Sequence, residues 1–178
     1  MRPTVSEPSR QLSDPGELLL GYLDFLRSAV TAKIAGMSEE DLRTSRLPSG
    51  WTPLELLKHL VHMERRWLRW GFLGEPVPEP FGDADATGRW HTGPDDTATD
   101  LTAALHAGGE QTRAVCAGLD LATPAATGGR FPAGADDGTG AEPAPTLGWI
   151  LFHVLQEYAR HAGHLDIARE LTDGVVGK

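Results

Sequence analysis

Glu157, His161 and His164 follow one another at spacings of four and three in TLGWILFHVLQEYARHAGHLDIAREL (residues 146–171), and His153 stands four before the glutamate. On a helix such spacings bring side chains to roughly 5–6 Å from one another, close enough for imidazole and carboxylate to converge on one cation. Leu147, Ile150, Val154, Glu157 and His161 recur every three or four residues, with Ala168 seven further on, so the carboxylate and the imidazole interrupt an apolar stripe. An unpaired carboxylate in such a stripe would take up a proton rather than remain ionised. A divalent metal resolves the conflict.

The elements that must position these groups can be read from caps and breakers. Asp14-Pro15 starts a first helix carrying Leu19, Tyr22, Leu23, Leu26, Val30 and Ile34 to about Ala35, with Gly36 as its stop. Ser38 and Asp41 predict a short turn of helix over 38–43. Thr52-Pro53 opens a second long helix to about Phe72, ended by Gly74, Pro76, Pro78 and Pro80. His59 lies among Leu56, Leu60 and Met63 on its apolar face, whereas His62 falls on the shoulder with Lys58 and Arg66 and reads as exposed. Residues 74–94 form a long loop bearing Phe81, Trp90 and His91, of the kind that lines sites. A third helix with a weak apolar face is expected over 96–119, diluted by Gly108-Gly109. A Gly/Pro-rich loop with a short hairpin near Gly129–Phe131 fills 120–145, and a fourth helix closes at Gly174.

These assignments make an all-α four-helix bundle with long loops between helices two and three and between three and four. Bundles of this kind build metal sites from inward-facing side chains. Residues 1–13 read as a flexible arm and 14–174 as one domain. The candidate ligands are His59, Glu157 and His161. Two nitrogens and a carboxylate oxygen suit Zn²⁺, with Ni²⁺ and Fe²⁺ as alternatives, and three protein ligands leave a position open for water or substrate.

Plainer readings compete. A lone histidine on an apolar face is usually a hydrogen-bonded core residue, and His59 by itself reads that way. His153 reads as packing, His91 and His106 as surface groups, and Trp51, Trp67, Trp70 and Trp149 as core or bundle-end packing. Arg65, Arg66, Arg69, Arg160 and Arg169 read as a solvated face. Cys116, the single cysteine, excludes a disulfide framework and reads as an inert buried thiol.

The chain has 178 residues and a formal net charge of −9, which disfavours nucleic acid and acidic lipid surfaces as partners. With no apolar run of membrane-spanning length, the expectation is a cytoplasmic protein, monomer or homodimer.

GWTPLELLKHLVHMERRW, followed much later by LGWILFHVLQEYARHAGHLDIARE, resembles the DinB-like metalloprotein superfamily, in the branch carrying the mycothiol-dependent enzymes. The resemblance implies a four-helix bundle holding a divalent metal through a helix-two histidine and two residues four apart on the last helix, which fall on His59, Glu157 and His161. Many DinB-like proteins have His where this chain has Glu157, and Gln where it has His164. The His/Glu/His version is similar to that of the mycothiol-dependent maleylpyruvate isomerases.

The functional expectation is a metal-dependent thiol transferase or isomerase. Its partners would be a low-molecular-weight thiol such as mycothiol and a small electrophile. His164 is assigned to orienting a ligand or shuttling a proton, and Asp166 or Glu64 to supporting the ligating imidazoles. The alternative is a metal-binding bundle without catalysis, serving a stress response or a protein partner.

Overall fold

The computed structural model describes residues 6–132 and 143–176. The first five residues of the expected arm, the middle of the 120–145 loop and the last two residues lie outside the described residues. The described elements are α1 (Pro15–Ile34), α2 (Glu39–Arg43), α3 (Pro53–Arg65), which runs on as a π-helical segment (Arg66–Phe72), α4 (Ala98–Cys116) and α5 (Leu147–Asp173). Among the described residues there is no strand, and the architecture is an all-α bundle.

Each helix begins where its cap dictates. Asp14, Ser38, Thr52, Thr97 and Thr146 all accept a first-turn backbone N–H through a side-chain oxygen. At Thr52 the bond is reciprocated by Glu55, a capping box that fixes the register of the helix carrying His59. Gly174 ends α5 in the left-handed region.

The long helices pack in a ring: α1 against α5 and α4, and α3 against α4 and α5. Leu23, Val30, Leu56, Leu57, Leu60, Ile150, Val154 and Leu165 fill the interior. In this interior sits an ionic knot around Glu64, which the sequence reading assigns to supporting the ligating imidazoles. The Glu64 carboxylate accepts from Arg27 of α1 at Nε (3.0 Å) and Nη2, from Thr112 of α4 (2.5 Å) and from Tyr158 of α5 (2.6 Å). One side chain therefore ties all four long helices. Arg27 and Glu64 are each only 3 % exposed, and the Tyr158 hydroxyl is pushed well above its ordinary value by burial and by the Glu64 charge. The weak apolar face of α4 has its reason here. Gly109 lets the Arg27 side chain approach to where a Cβ would stand, at 3.0 Å, so this glycine makes room for the guanidinium instead of breaking the helix.

Two further expectations change. The second helix does reach Phe72, but beyond Arg65 it widens to i→i+5 bonding, as in Leu73 N–H to Leu68 O (3.0 Å). The carbonyls of Trp70 and Phe72 accept from Arg130 and Ala126 of the second long loop. The hairpin expected near Gly129–Phe131 is a tight turn closed by Gly128 N–H to Phe131 O, docked on this segment. Gly129 is required there, since a Cβ would stand 2.2 Å from the Trp70 carbonyl oxygen.

Candidate metal centre

The interior faces of α3 and α5 bring His59, Glu157 and His161 together, with one ligand-capable atom from each lying within 4.8 Å of the others. The Glu157 Oε2 is 3.3 Å from His161 Nε2 and 3.8 Å from His59 Nε2. Donors sharing one zinc at about 2.0–2.2 Å stand roughly 3–4 Å from each other. These gaps match that spacing and are long for direct hydrogen bonds. The His59 Nε2 is moreover buried without any hydrogen-bond partner among the described residues. A buried lone pair left unmatched is rare, and a cation would match it.

The other nitrogen of His59 shows how the ring is aimed. Its Nδ1 lies 2.8 Å from Asp83 Oδ2, and Asp83 also accepts from Arg66 Nη1 and Nη2. Burial would raise the Asp83 carboxyl, but the hydrogen bonds from His59 and Arg66 and the Arg66 charge outweigh it and hold it at about 2. An ionised carboxylate only accepts, so Nδ1 carries the proton and Nε2 presents its lone pair to Glu157 and His161. His161, buried at 4 % exposure, is lowered to about 4 by burial and by the adjoining His59 and His164, against the pull of Glu157. At neutral pH it is an uncharged imidazole, the form that ligates.

His164 is placed behind His161, with the two Nδ1 atoms 3.3 Å apart. The supports expected at Asp166 and Glu64 are not there. Asp166 pairs with Lys33 of α1, and Glu64 is fully engaged in the core knot. The carboxylate behind His59 of α3 is Asp83, from the 74–94 loop, which sequence reading passed over. In a stretch with no hydrophobic period its neighbour Asp85 looks equivalent, yet Asp85 only closes a local turn with Thr87 and Arg89.

Folding back of that loop delivers both Asp83 and Trp90. Ala84 and Trp90 form an antiparallel bridge, with Asp85 N–H to Arg89 O and His91 N–H to Asp83 O. Gly82 fits the turn because a Cβ would meet the His62 ring at 2.8 Å, so His62, expected to be exposed, is half-covered by the loop. Trp90 then stacks on His59 at 4.4 Å between centroids and meets His161 edge-on at 5.3 Å. Trp51 touches both Trp90 and His164. The same two indoles wall a cavity of about 250 Å³, whose other sides include Ser49, Glu55 and Arg89. His59 and Glu157 keep 12 and 16 % side-chain exposure, so the cluster lies near the surface although His59 Nε2 itself is buried.

The remaining groups sort as follows. His153 packs between Trp67 and the half-exposed Trp149. His91 and His106 are exposed. Arg66 and Arg169, expected on a solvated face, are buried, one on Asp83 and the other on Asp173 and the carbonyl ending α1. The Cys116 thiol is pushed up to about 11 by burial and by Glu64.

The profile of the mycothiol S-transferases matches residues 18–174. The chain belongs to the mycothiol S-transferase family. The fold is shared with a conserved protein from Enterococcus faecalis, whose crystal structure aligns at a TM-score of 0.59 and 18 % identity over 92 % of this chain and 100 % of that one. No curated protein sequence matches. Within this mycothiol S-transferase family member, no helix among the described residues is long and apolar enough to cross a membrane.

Proposed function

We propose that this family member is a metal-dependent thiol S-transferase that joins a low-molecular-weight thiol of the mycothiol class to a small electrophile. The orphaned Nε2 of His59, held within 4.8 Å of donors from Glu157 and His161, is the observation that carries the reading. His59, Glu157 and His161 would hold a divalent cation, Zn²⁺ by its donor chemistry, which would supply Lewis acidity that favours deprotonation of a thiol at neutral pH.

The chain's own residues do the rest. Asp83 fixes the His59 tautomer and is itself fixed by Arg66. His161 turns Nε2 toward Glu157, which leaves its Nδ1–H to donate to His164 Nδ1. With Nδ1 accepting, neutral His164 carries its proton on Nε2, and we assign this N–H to orienting the bound ligand by donating a hydrogen bond to it. Trp90 and Trp51 cover the imidazoles and restrict water, and the cavity beside them offers Ser49, Glu55 and Arg89 to the polar body of the thiol. A tightly held, closed site would have favoured a structural metal. The residual exposure of His59 and Glu157 supports the catalytic reading instead.

The test is conjugation of monochlorobimane by protein purified without added metal, assayed for metal content and supplied in turn with mycothiol and other cellular thiols. Conjugation should require the metal, cease on chelation and return on zinc addition. Absence of metal-dependent conjugation with every cellular thiol would sink the proposal.

A further inference from the structure

A second cavity, of about 260 Å³, opens between α3 and α4. At about 100° per residue, the α3 positions that line it, Val61, Glu64 and Arg65, lie on the side of the helix turned away from His59, and Leu68 of the π-helical continuation joins them. It is therefore separate from the metal centre. Its walls are apolar, with Val61 and Leu68 facing Leu105 and Val115. The space is left by small residues of α4: a Cβ on Gly108 would meet nothing within 4 Å.

The polar groups at this cavity are unequal. Glu64 and Thr112 form part of its lining but bond each other, with Glu64 also taken by Arg27 and Tyr158. Of the neighbouring cations, Arg66 is neutralised by Asp83 and Arg69 by Glu75. Arg65 makes no ion pair among the described residues. Its Nη2 donates to the carbonyls of Pro78 and Glu79, while its Nε is buried with no hydrogen-bond partner. A desolvated guanidinium N–H without an acceptor is costly, and with Arg69 paired to Glu75, Arg65 is the lining cation that no carboxylate balances among the described residues.

From these observations we propose that the cavity binds a small organic monocarboxylate, with the carboxylate on Arg65 and a short alkyl or aryl body between α3 and α4. One unpaired cation selects a monoanion, and the apolar walls select against a small hydrophilic anion such as inorganic phosphate. The volume, below the usual range for drug-sized ligands, limits the body to a short chain or a single ring. Arg65 also clamps the loop that carries Asp83, so occupancy reaches the metal centre only through that loop. The proposal stands or falls independently of the thiol reading.

The experiment is calorimetric titration of the purified protein with octanoate and with benzoate, alongside octanol, benzamide and inorganic phosphate. Saturable binding of at least one carboxylate is expected, weakened at least tenfold in Arg65→Gln and in Gly108→Leu and retained after chelation of the metal. Gly108→Leu fills open space with a better helix former, so its melting temperature should not fall, which separates loss of the site from loss of the fold. Absence of saturable binding of both carboxylates would overturn the proposal. So would equal binding of the uncharged analogues or of phosphate, binding indifferent to both substitutions, or binding that disappears on chelation.

Discussion

Replacing Asp83 by Asn tests how far the metal centre depends on a residue that holds no metal. The substitution keeps the shape and an acceptor oxygen for His59 Nδ1, but removes the charge that fixes the His59 tautomer and leaves the buried Arg66 without its counterion. Loss of such a carboxylate behind a ligating imidazole typically costs 10–100-fold in metal affinity, roughly 1.4–2.7 kcal/mol. Stability falls as well. The distance between the ordinary carboxyl value of 3.8 and about 2 for Asp83 corresponds to roughly 2.4 kcal/mol, which solvent screening reduces to roughly 1–2 kcal/mol. Because the folded value is the lower one, this contribution is complete above about pH 4 and disappears as pH falls from about 4 to about 2. Zinc affinity measured by competition with a chromogenic chelator should drop by the stated factor in Asp83→Asn. Urea unfolding of the metal-free variant should show a shallower decline between pH 4 and 2 than the parent. Zinc affinity within twofold of the parent would refute the reasoning, since His59 would then need no carboxylate to aim it.

Glu64→Ala strands the buried Arg27 and severs bonds to three other helices, so a loss of about 3–5 kcal/mol is expected in urea unfolding; pairing it with Arg27→Met should recover part of that loss. Gly129→Ala drives a Cβ into the Trp70 carbonyl and should cost about 1–3 kcal/mol, with greater proteolytic sensitivity in the 120–132 loop. The Cys116 thiol, pushed up to about 11, should resist alkylation by iodoacetamide at pH 8 until the protein is unfolded, and Cys116→Ser should leave thiol conjugation unchanged. Glu157→Gln should lower metal content in protein purified without added metal by at least tenfold while leaving the far-ultraviolet circular dichroism of the fold intact.

The elements were legible because each one is announced locally. A side-chain oxygen at Asp14, Ser38 and Thr52, with a proline at the first helical position of α1 and α3, specifies where a helix begins regardless of what it will pack against. The spacing of Glu157 and His161 is likewise a property of one helix, and periodicity set His59 on the interior face of another. What periodicity does not carry is which residue of a loop, or of the opposite helix, completes each polar group. Arg66 and Arg169 looked like surface cations because the patterning of a single helix contains no information about a carboxylate arriving from elsewhere. Glu64 looked available to a ligating imidazole because its true partners, Arg27, Thr112 and Tyr158, come from three other helices.

Sequence alone thus determined the helices, their apolar faces and the spacing of Glu157 and His161 on one face of the last helix, all of which depend on interactions within about one turn of chain. Only the tertiary structure decided that Asp83 rather than Asp85 reaches His59, that Trp90 folds over the imidazoles and that the core is pinned by a charge. Those outcomes depend on contacts between segments remote in sequence, whose geometry exists only once the bundle has closed and the loop has been drawn back across it.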